Sequence, residues 1–145
     1  NLPKLKEWFK TFSKIAKIYS YLEFIFPLHP NPQITKYKSY LEGITVIDPL
    51  GYDDMLKLMS RCRFIISDSG GIQEEASFLN KKIIICRRST ERPQVLDHHG
   101  ILCIEPEDLE NIVDDIHNNY IINEECPFGN GYSWMKISEI LDSLE

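Results

Sequence analysis

The feature that most constrains the fold is the alternation of short apolar segments with longer helical ones. Segments rich in Ile, Val and Phe occur at Leu22 to Leu28, Ile44 to Ile47, Arg63 to Ser67, Ile83 to Cys86 and Ile101 to Ile104. A strand that is apolar at successive positions is covered on both faces, as in parallel sheets flanked by helices. The pattern therefore predicts an α/β fold with an open parallel sheet and helices on both faces.

Helical periodicity is clearest at the amino end, where apolar residues recur at three- and four-residue steps between lysines. Helices are predicted at Leu2 to Ile18, Asp53 to Ser60, Ile72 to Leu79, Pro106 to Tyr120 and Ser133 to Leu144. Proline removes a backbone donor and restricts its predecessor, so His29 to Pro32 is predicted to be a loop. Cys126 to Tyr132 is predicted to be a turn, and residues 1–145 to form one domain.

Composition narrows the class of partner. The chain has 145 residues, of which 43% are hydrophobic, and a net charge of −6 without a basic patch, which argues against nucleic-acid binding. There is no apolar run of about 20 residues and no signal-peptide core, so we expect a soluble cytoplasmic protein without a membrane partner. The four cysteines form no C-x-x-C pair, and Cys86 and Cys103 are predicted to be buried core residues.

Ligands of open α/β sheets bind beyond the carboxyl ends of the strands. The loops to consider are His29 to Pro32, Asp68 to Gly71 and Arg87 to Pro93, each of which follows a predicted strand. In the second loop, Ser69, Gly70 and Gly71 open a helix whose free N–H groups could bind a phosphate. The alternative is that Asp68 or Ser69 simply caps that helix.

Other charged side chains near these loops also have two interpretations. Glu74 and Glu75 could accept hydrogen bonds from ribose hydroxyls, or they could only favour the helix dipole. Arg87, Arg88 and Arg92 suit a pyrophosphate, but three arginines in a loop can also be plain solvated charge. His29 could donate to a phosphate or act in acid–base chemistry, although most loop histidines do neither. No spacing of histidines with cysteines or acids suggests a metal site.

Taken together, the loops carry an ordered set of motifs. These are F-P-L-H-P-N-P at Phe26 to Pro32, D-P-L-G-Y at Asp48 to Tyr52, D-S-G-G-I-Q-E-E at Asp68 to Glu75, S-T-E-R-P at Ser89 to Pro93 and P-F-G-N-G at Pro127 to Gly131. The set resembles the non-hydrolysing UDP-N-acetylglucosamine 2-epimerase family over nearly the whole chain. Arg88, Ser89 and Gln94 depart from the family's usual Asp, Thr and Glu.

The resemblance implies a Rossmann-like domain that is the C-terminal half of a GT-B-type two-domain fold, with UDP held mainly by this half. It implies that Ser69, Gly70 and Gly71 bind the diphosphate and that Glu75 binds the ribose. His29 and Arg92 would contact UDP and stabilise charge on the departing nucleotide, a catalytic role. The last helix would pack on an N-terminal domain, and the parent protein would be a homodimer.

The family reaction removes the proton at sugar C2 while UDP leaves from C1, and then re-adds UDP after protonation on the opposite face. The resemblance places the carboxylates for this proton transfer in the N-terminal domain, so we expect the isolated chain to be inactive. No cofactor is implied. Alternatives are a non-catalytic UDP or UDP-sugar binding module, an epimerase of another UDP-2-acetamido sugar, a related glycosyltransferase domain, and a small domain with no ligand.

Overall fold

A computed structural model describes residues 4–119, 122 and 125–144 of the chain. The helices are α1 (Leu5–Ile18), α2 (Pro32–Thr35), α3 (Tyr52–Arg61), α4 (Gly70–Phe78), α5 (Leu109–Asn118) and α6 (Ser133–Asp142). The strands are β1 (Ile25–Pro27), β2 (Thr45–Ile47), β3 (Phe64–Ser67), β4 (Lys82–Ile85) and β5 (Gly100–Leu102). Short 3-10 helices span Lys38–Tyr40, Pro93–Asp97 and Pro106–Asp108.

Every strand pair is parallel, as the sequence predicts. The backbone hydrogen bonds group the strands into two sheets, β1–β2 and β3–β4–β5, and not into one continuous ladder. Each strand is only three or four residues long, which limits the number of backbone pairs that it can form with a neighbour. Both sheets nevertheless contribute side chains, including Phe26 and Ile66, to one hydrophobic cluster.

Strand β4 shows most directly that helices cover both faces. Ile84 is fully buried in the cluster that contains residues of α1 and α5. Its neighbours Ile83 and Ile85 are equally buried, in a second cluster with Met59 of α3 and Ala76 of α4. Successive side chains of a strand point to opposite faces. The predicted continuous apolar strand between two helical layers is therefore confirmed.

Several boundaries differ from the predictions. Leu2 and Tyr120, at the predicted helix ends, lie outside the described residues. The segment His29 to Pro32 is not wholly a loop, because Asn31 caps α2 by accepting a hydrogen bond from Gln33 N at 2.9 Å and Pro32 begins that helix. Proline is tolerated there, since the first helical N–H has no intrahelical acceptor.

Cysteine burial follows the prediction, since Cys86 and Cys103 are both buried and 5% or less exposed. Burial raises the pKa of both thiols, that of Cys103 to about 12, because a thiolate is poorly solvated in an apolar environment. They are core residues that stay protonated at neutral pH.

Helix α6 differs from the other helices in leaving its apolar side chains uncovered. Every residue of α6 is exposed, including Trp134, Ile137 and Ile140, which are 57% to 66% exposed. The turn before it contains Gly129 and Gly131, with φ values of 93° and 85° that favour glycine. Among the described residues, α6 therefore contributes no buried side chain to the core.

Candidate nucleotide-binding site

The site begins at the turn between β3 and α4. Ser69 occupies the N-cap position of α4, but its side chain makes no capping hydrogen bond. The Ser69 N–H donates instead to Ser67 Oγ at 3.1 Å, which fixes the turn. The interpretation of Ser69 as a simple helix cap is therefore wrong, and its exposed hydroxyl is available beside the first N–H groups of the helix.

The loop after β4 brings Arg92 to this same turn. Gly70 lies against the Arg92 guanidinium so closely that a Cβ on Gly70 would lie 3.0 Å from Arg92 Cζ and nearer still to Nη1. A Cβ on Gly71 would meet no atom within 4 Å. A side chain at position 70 would thus displace the guanidinium from this position, whereas Gly71 leaves open space at the start of the helix.

Arg92 is held by a carboxylate from α4 itself. Its Nε donates to Glu74 Oε1, and its side chain is 30% exposed. The positive end of a helix disfavours a cation and favours an anion. A guanidinium fixed beside that end therefore forms, together with the free N–H groups and the Ser69 hydroxyl, a set of donors that suits a phosphate or diphosphate.

The three arginines of the loop do not act alike. Arg87 makes two hydrogen bonds to Glu91, at 2.9 and 2.7 Å, which lower the pKa of Glu91 and raise that of Arg87. Arg88 is exposed, whereas Arg92 is half-buried against α4. The structure places the Arg92 guanidinium against Gly70 at the start of α4, whereas Arg87 and Arg88 line an open cleft with Asp68.

A buried hydrogen-bond network connects the two loops, and sequence reasoning missed it. Gln73 is completely buried; its Nε2 donates to Ser69 O at 3.3 Å, and its Oε1 accepts from Thr90 Oγ1 at 2.6 Å. Thr90 Oγ1 in turn accepts from Arg92 N at 3.1 Å. The available signal was a glutamine four residues after the N-cap of α4, which by itself does not indicate burial.

An open cleft of about 460 Å³ adjoins these loops and is lined by Asp68, Arg87, Arg88 and Ser89. It lies at the carboxyl ends of β3 and β4, the position at which open parallel sheets bind ligands. Among the residues that the structure describes, no group of three His, Cys, Asp or Glu side chains could hold a metal ion. No helix in the same part of the chain is long and apolar enough to cross a membrane.

Among the described residues, neither His29 nor Glu75 forms an ion pair with Arg92. His29 is exposed after β1, and its Nδ1 accepts from Asn31 N at 3.2 Å, which leaves the proton on Nε2. In the described part of the chain, no hydrogen bond or ion pair joins His29 to α4 or to the Arg92 loop. Glu75 is half-buried on α4, next to the Glu74 that pairs with Arg92.

Comparison with known proteins identifies the family to which this chain is similar. The family described as UDP-N-acetylglucosamine 2-epimerase matches residues 1–142. The chain belongs to this family. Two curated family members, both named UDP-N-acetylglucosamine 2-epimerase, are 33% identical (Salmonella borreze) and 34% identical (Campylobacter jejuni) over 86% and 83% of this chain.

Solved epimerase structures show the same fold. The UDP-GlcNAc 2-epimerase of Methanocaldococcus jannaschii, in complex with UDP-GlcNAc and UDP, matches 99% of the chain with a TM-score of 0.82 and 33% identity. That of Neisseria meningitidis, bound to UDP-GlcNAc, matches 95% of the chain with a TM-score of 0.82 and 30% identity. The predicted Rossmann-like α/β fold is thereby confirmed.

The chain spans only part of these epimerases. It covers 36% and 34% of the two curated relatives and 41% of each of the two solved chains. The predicted resemblance to one portion of the epimerases is therefore confirmed. The binding roles of six residues remain predictions: His29, Ser69, Gly70, Gly71, Glu75 and Arg92.

Proposed function

We propose that this chain is the UDP-binding portion of a UDP-N-acetylglucosamine 2-epimerase, which converts UDP-N-acetylglucosamine into UDP-N-acetylmannosamine by elimination and re-addition of UDP. The observation that carries the proposal is the placement of Arg92 against Gly70, at the start of α4, in a member of this family. The relatives from Methanocaldococcus jannaschii and Neisseria meningitidis, whose structures contain UDP-GlcNAc, support the choice of ligand.

The diphosphate is proposed to lie across the start of α4. The amides of Gly70 and Gly71 and the Ser69 hydroxyl donate to its oxygens, and the Arg92 guanidinium supplies the positive charge. Glu75 accepts hydrogen bonds from the ribose hydroxyls. A diphosphate bound in this way receives donors that are already fixed by the fold, so little reorganisation is needed on binding.

The same donors would assist the chemical step. When the proton at C2 is removed and the C1–O bond breaks, the electron pair of that bond leaves with UDP, and negative charge grows on its β-phosphate. Preorganised donors at that position lower the barrier because their interaction strengthens as the charge develops. His29, which carries its proton on Nε2, is proposed to share this role with Arg92.

The proton transfer itself is proposed to need carboxylates from an N-terminal domain, onto which the exposed apolar side chains of α6 would pack. The parent enzyme is proposed to be a homodimer. On this proposal the isolated chain binds UDP but does not exchange the C2 hydrogen of UDP-N-acetylglucosamine in deuterated water. Rapid exchange by the chain alone would contradict the proposal that the carboxylates for proton transfer come from an N-terminal domain.

A second candidate is a UDP-binding module without catalysis, which is supported by a site built from phosphate-binding donors at the start of α4. The candidates differ once an N-terminal domain is supplied, for example by fusing the corresponding region of the Campylobacter jejuni relative to this chain. Exchange of the C2 hydrogen by the fusion that is lost in its R92M variant supports the epimerase. Exchange that is unaffected by R92M contradicts the role of Arg92.

Binding is tested by calorimetric titration of the chain with UDP, UMP and uridine. We expect UDP to bind more tightly than UMP and uridine, because only UDP places a diphosphate on the α4 donors. S69A and R92M should weaken UDP binding, whereas R61M, which removes an exposed arginine at the end of α3, should not. Equal binding of UDP and uridine would contradict the proposed diphosphate site. Competition with other UDP-2-acetamido sugars tests the alternative that a different sugar is the substrate.

A further inference from the structure

We infer that Gln73 and Thr90 are positioning residues that hold Arg92 at the start of α4 through a hydrogen-bond relay. This inference rests on the proposed function in one respect, namely that Arg92 binds a diphosphate. Neither side chain is among the predicted ligand contacts. Both lie between the two loops that supply those contacts, and Gln73 has no solvent exposure at all.

The directions of the hydrogen bonds in the relay follow from the chemistry of its members. Ser69 O can only accept, so the Gln73 amide must turn its nitrogen toward Ser69 and its oxygen toward Thr90. The Thr90 hydroxyl must then donate its single proton to Gln73 Oε1. Its lone pairs remain free to accept from the backbone N–H of Arg92, at 3.1 Å.

Every polar atom of the Gln73 side chain is therefore used to connect Ser69, at the N-cap of α4, with the backbone of Arg92. Within α4, the backbone carbonyl of Gln73 also accepts from Ser77 Oγ at 2.9 Å, and Ser77 is completely buried as well. A buried amide that lost one of these partners would leave a donor or acceptor unsatisfied. The relay thus favours one position of the loop relative to the helix.

The two ends of Arg92 are held differently. The relay fixes its backbone, whereas Glu74 holds its side chain through Nε and Glu91 Oε2 lies 3.7 Å from its Nη1. The Glu74 side chain in this ion pair is 47% exposed. Ion pairs that are so exposed contribute little free energy, so they hold a side chain only weakly. We therefore assign the placement of the guanidinium beside Gly70 mainly to the buried relay, with Glu74 selecting the orientation of the side chain.

The test uses Thr90, which is half-buried, whereas Gln73 is completely buried. T90V keeps the shape of the side chain but removes both hydrogen bonds, whereas T90S keeps the hydroxyl. We expect T90V to weaken UDP binding by about tenfold and T90S to restore binding to within roughly threefold of the wild-type protein. Weak binding by T90S equal to that of T90V would overturn the inference, because the hydroxyl would then not be the cause.

A double-mutant cycle separates positioning from a general structural effect. If Thr90 acts through Arg92, T90V should have no further effect on UDP binding in an R92M background. Additive losses in the T90V/R92M protein would overturn the relay. Q73L should behave as T90V does if it folds, and thermal unfolding of each variant identifies any that does not fold.

The inference can also be tested without any ligand. The Arg92 Nε–H group gives its own nuclear magnetic resonance signal, whose ¹⁵N relaxation reports the mobility of the guanidinium. We expect greater mobility in T90V than in the wild-type protein or T90S, and unchanged mobility in T90V would overturn the relay. If the wild-type chain fails to bind UDP, the proposed function fails, whereas this measurement still decides whether the relay positions Arg92.

Discussion

Substitution of Gly70 by alanine tests the contact between α4 and Arg92 with a single methyl group. That methyl would overlap the Arg92 guanidinium, at 3.0 Å from Cζ and nearer still to Nη1, whereas the methyl of G71A would meet nothing within 4 Å. Neither glycine has a positive φ, so alanine is compatible with the backbone at both positions. G71A is thus a matched control for the effect of G70A on stability.

The expected magnitudes follow from two opposing terms. Alanine is favoured over glycine in a helix by about 0.5–1 kcal/mol, so G71A should raise the free energy of unfolding by up to about that amount. G70A has the same stabilising preference of alanine over glycine, but it also displaces Arg92 from Glu74. The ion pair that is lost is partly exposed and contributes about 0.2–1 kcal/mol to the free energy of unfolding. The free energy of unfolding of G70A should therefore be lower than that of G71A and close to that of the wild-type protein.

The effect of G70A on binding should be larger than its effect on stability. A charge-assisted hydrogen bond contributes about 1.5–3 kcal/mol, so loss of the Arg92 contact should weaken UDP binding by roughly 10- to 150-fold. Urea unfolding followed by the fluorescence of buried Trp8 and calorimetric titration with UDP measure the two quantities. The reasoning is refuted if G70A is stabilised as much as G71A and keeps the affinity of the wild-type protein, or if G70A weakens binding further in an R92M background.

Two further predictions concern the core and its ionisation. I84A should lower the free energy of unfolding in urea by about 2–5 kcal/mol because Ile84 is fully buried, whereas I137A on exposed α6 should change it by less than about 0.5 kcal/mol; equal losses would contradict the assignment of the core. Because burial raises the pKa of Cys86 and Cys103, the unfolded chain releases their protons first as the pH rises. Stability should therefore fall above about pH 9, by up to roughly 1.4 kcal/mol per pH unit for each thiol. In a protein carrying C86A and C103A, the free energy of unfolding in urea should fall less steeply between pH 8 and 11. An unchanged slope of this free energy against pH would contradict the raised pKa of the two buried thiols.

The layered fold was predictable because its cause is local. Ile83, Ile84 and Ile85 are apolar at successive positions, and the only way to bury all three is to cover both faces of the strand. The short helix α2 was not predicted, because two prolines near His29 were interpreted only as helix breakers. Pro32 in fact begins α2 after the Asn31 cap, and this geometry depends on where the chain turns after β1.

The candidate site was predictable in residue type but not in arrangement. The position of Ser69, Gly70 and Gly71 between a strand and a helix indicated an anion site, and the structure places the start of α4 there. The resemblance singled out Arg92, but the loop residues by themselves did not indicate that Arg92, and not Arg87, would reach Gly70. That placement depends on the burial of Gln73 and on its hydrogen bond to Thr90, both of which arise from tertiary packing.

The central claim is that the start of α4 and Arg92 bind the diphosphate of UDP, and a titration of the ¹⁵N-labelled chain with UDP tests it most directly. The account predicts that the largest amide shifts fall on Ser69 to Glu75 and that the Arg92 Nε–H signal moves with them. Uridine should leave these signals in place. The absence of binding at millimolar UDP, or shifts confined to other parts of the chain such as α1, would contradict the account.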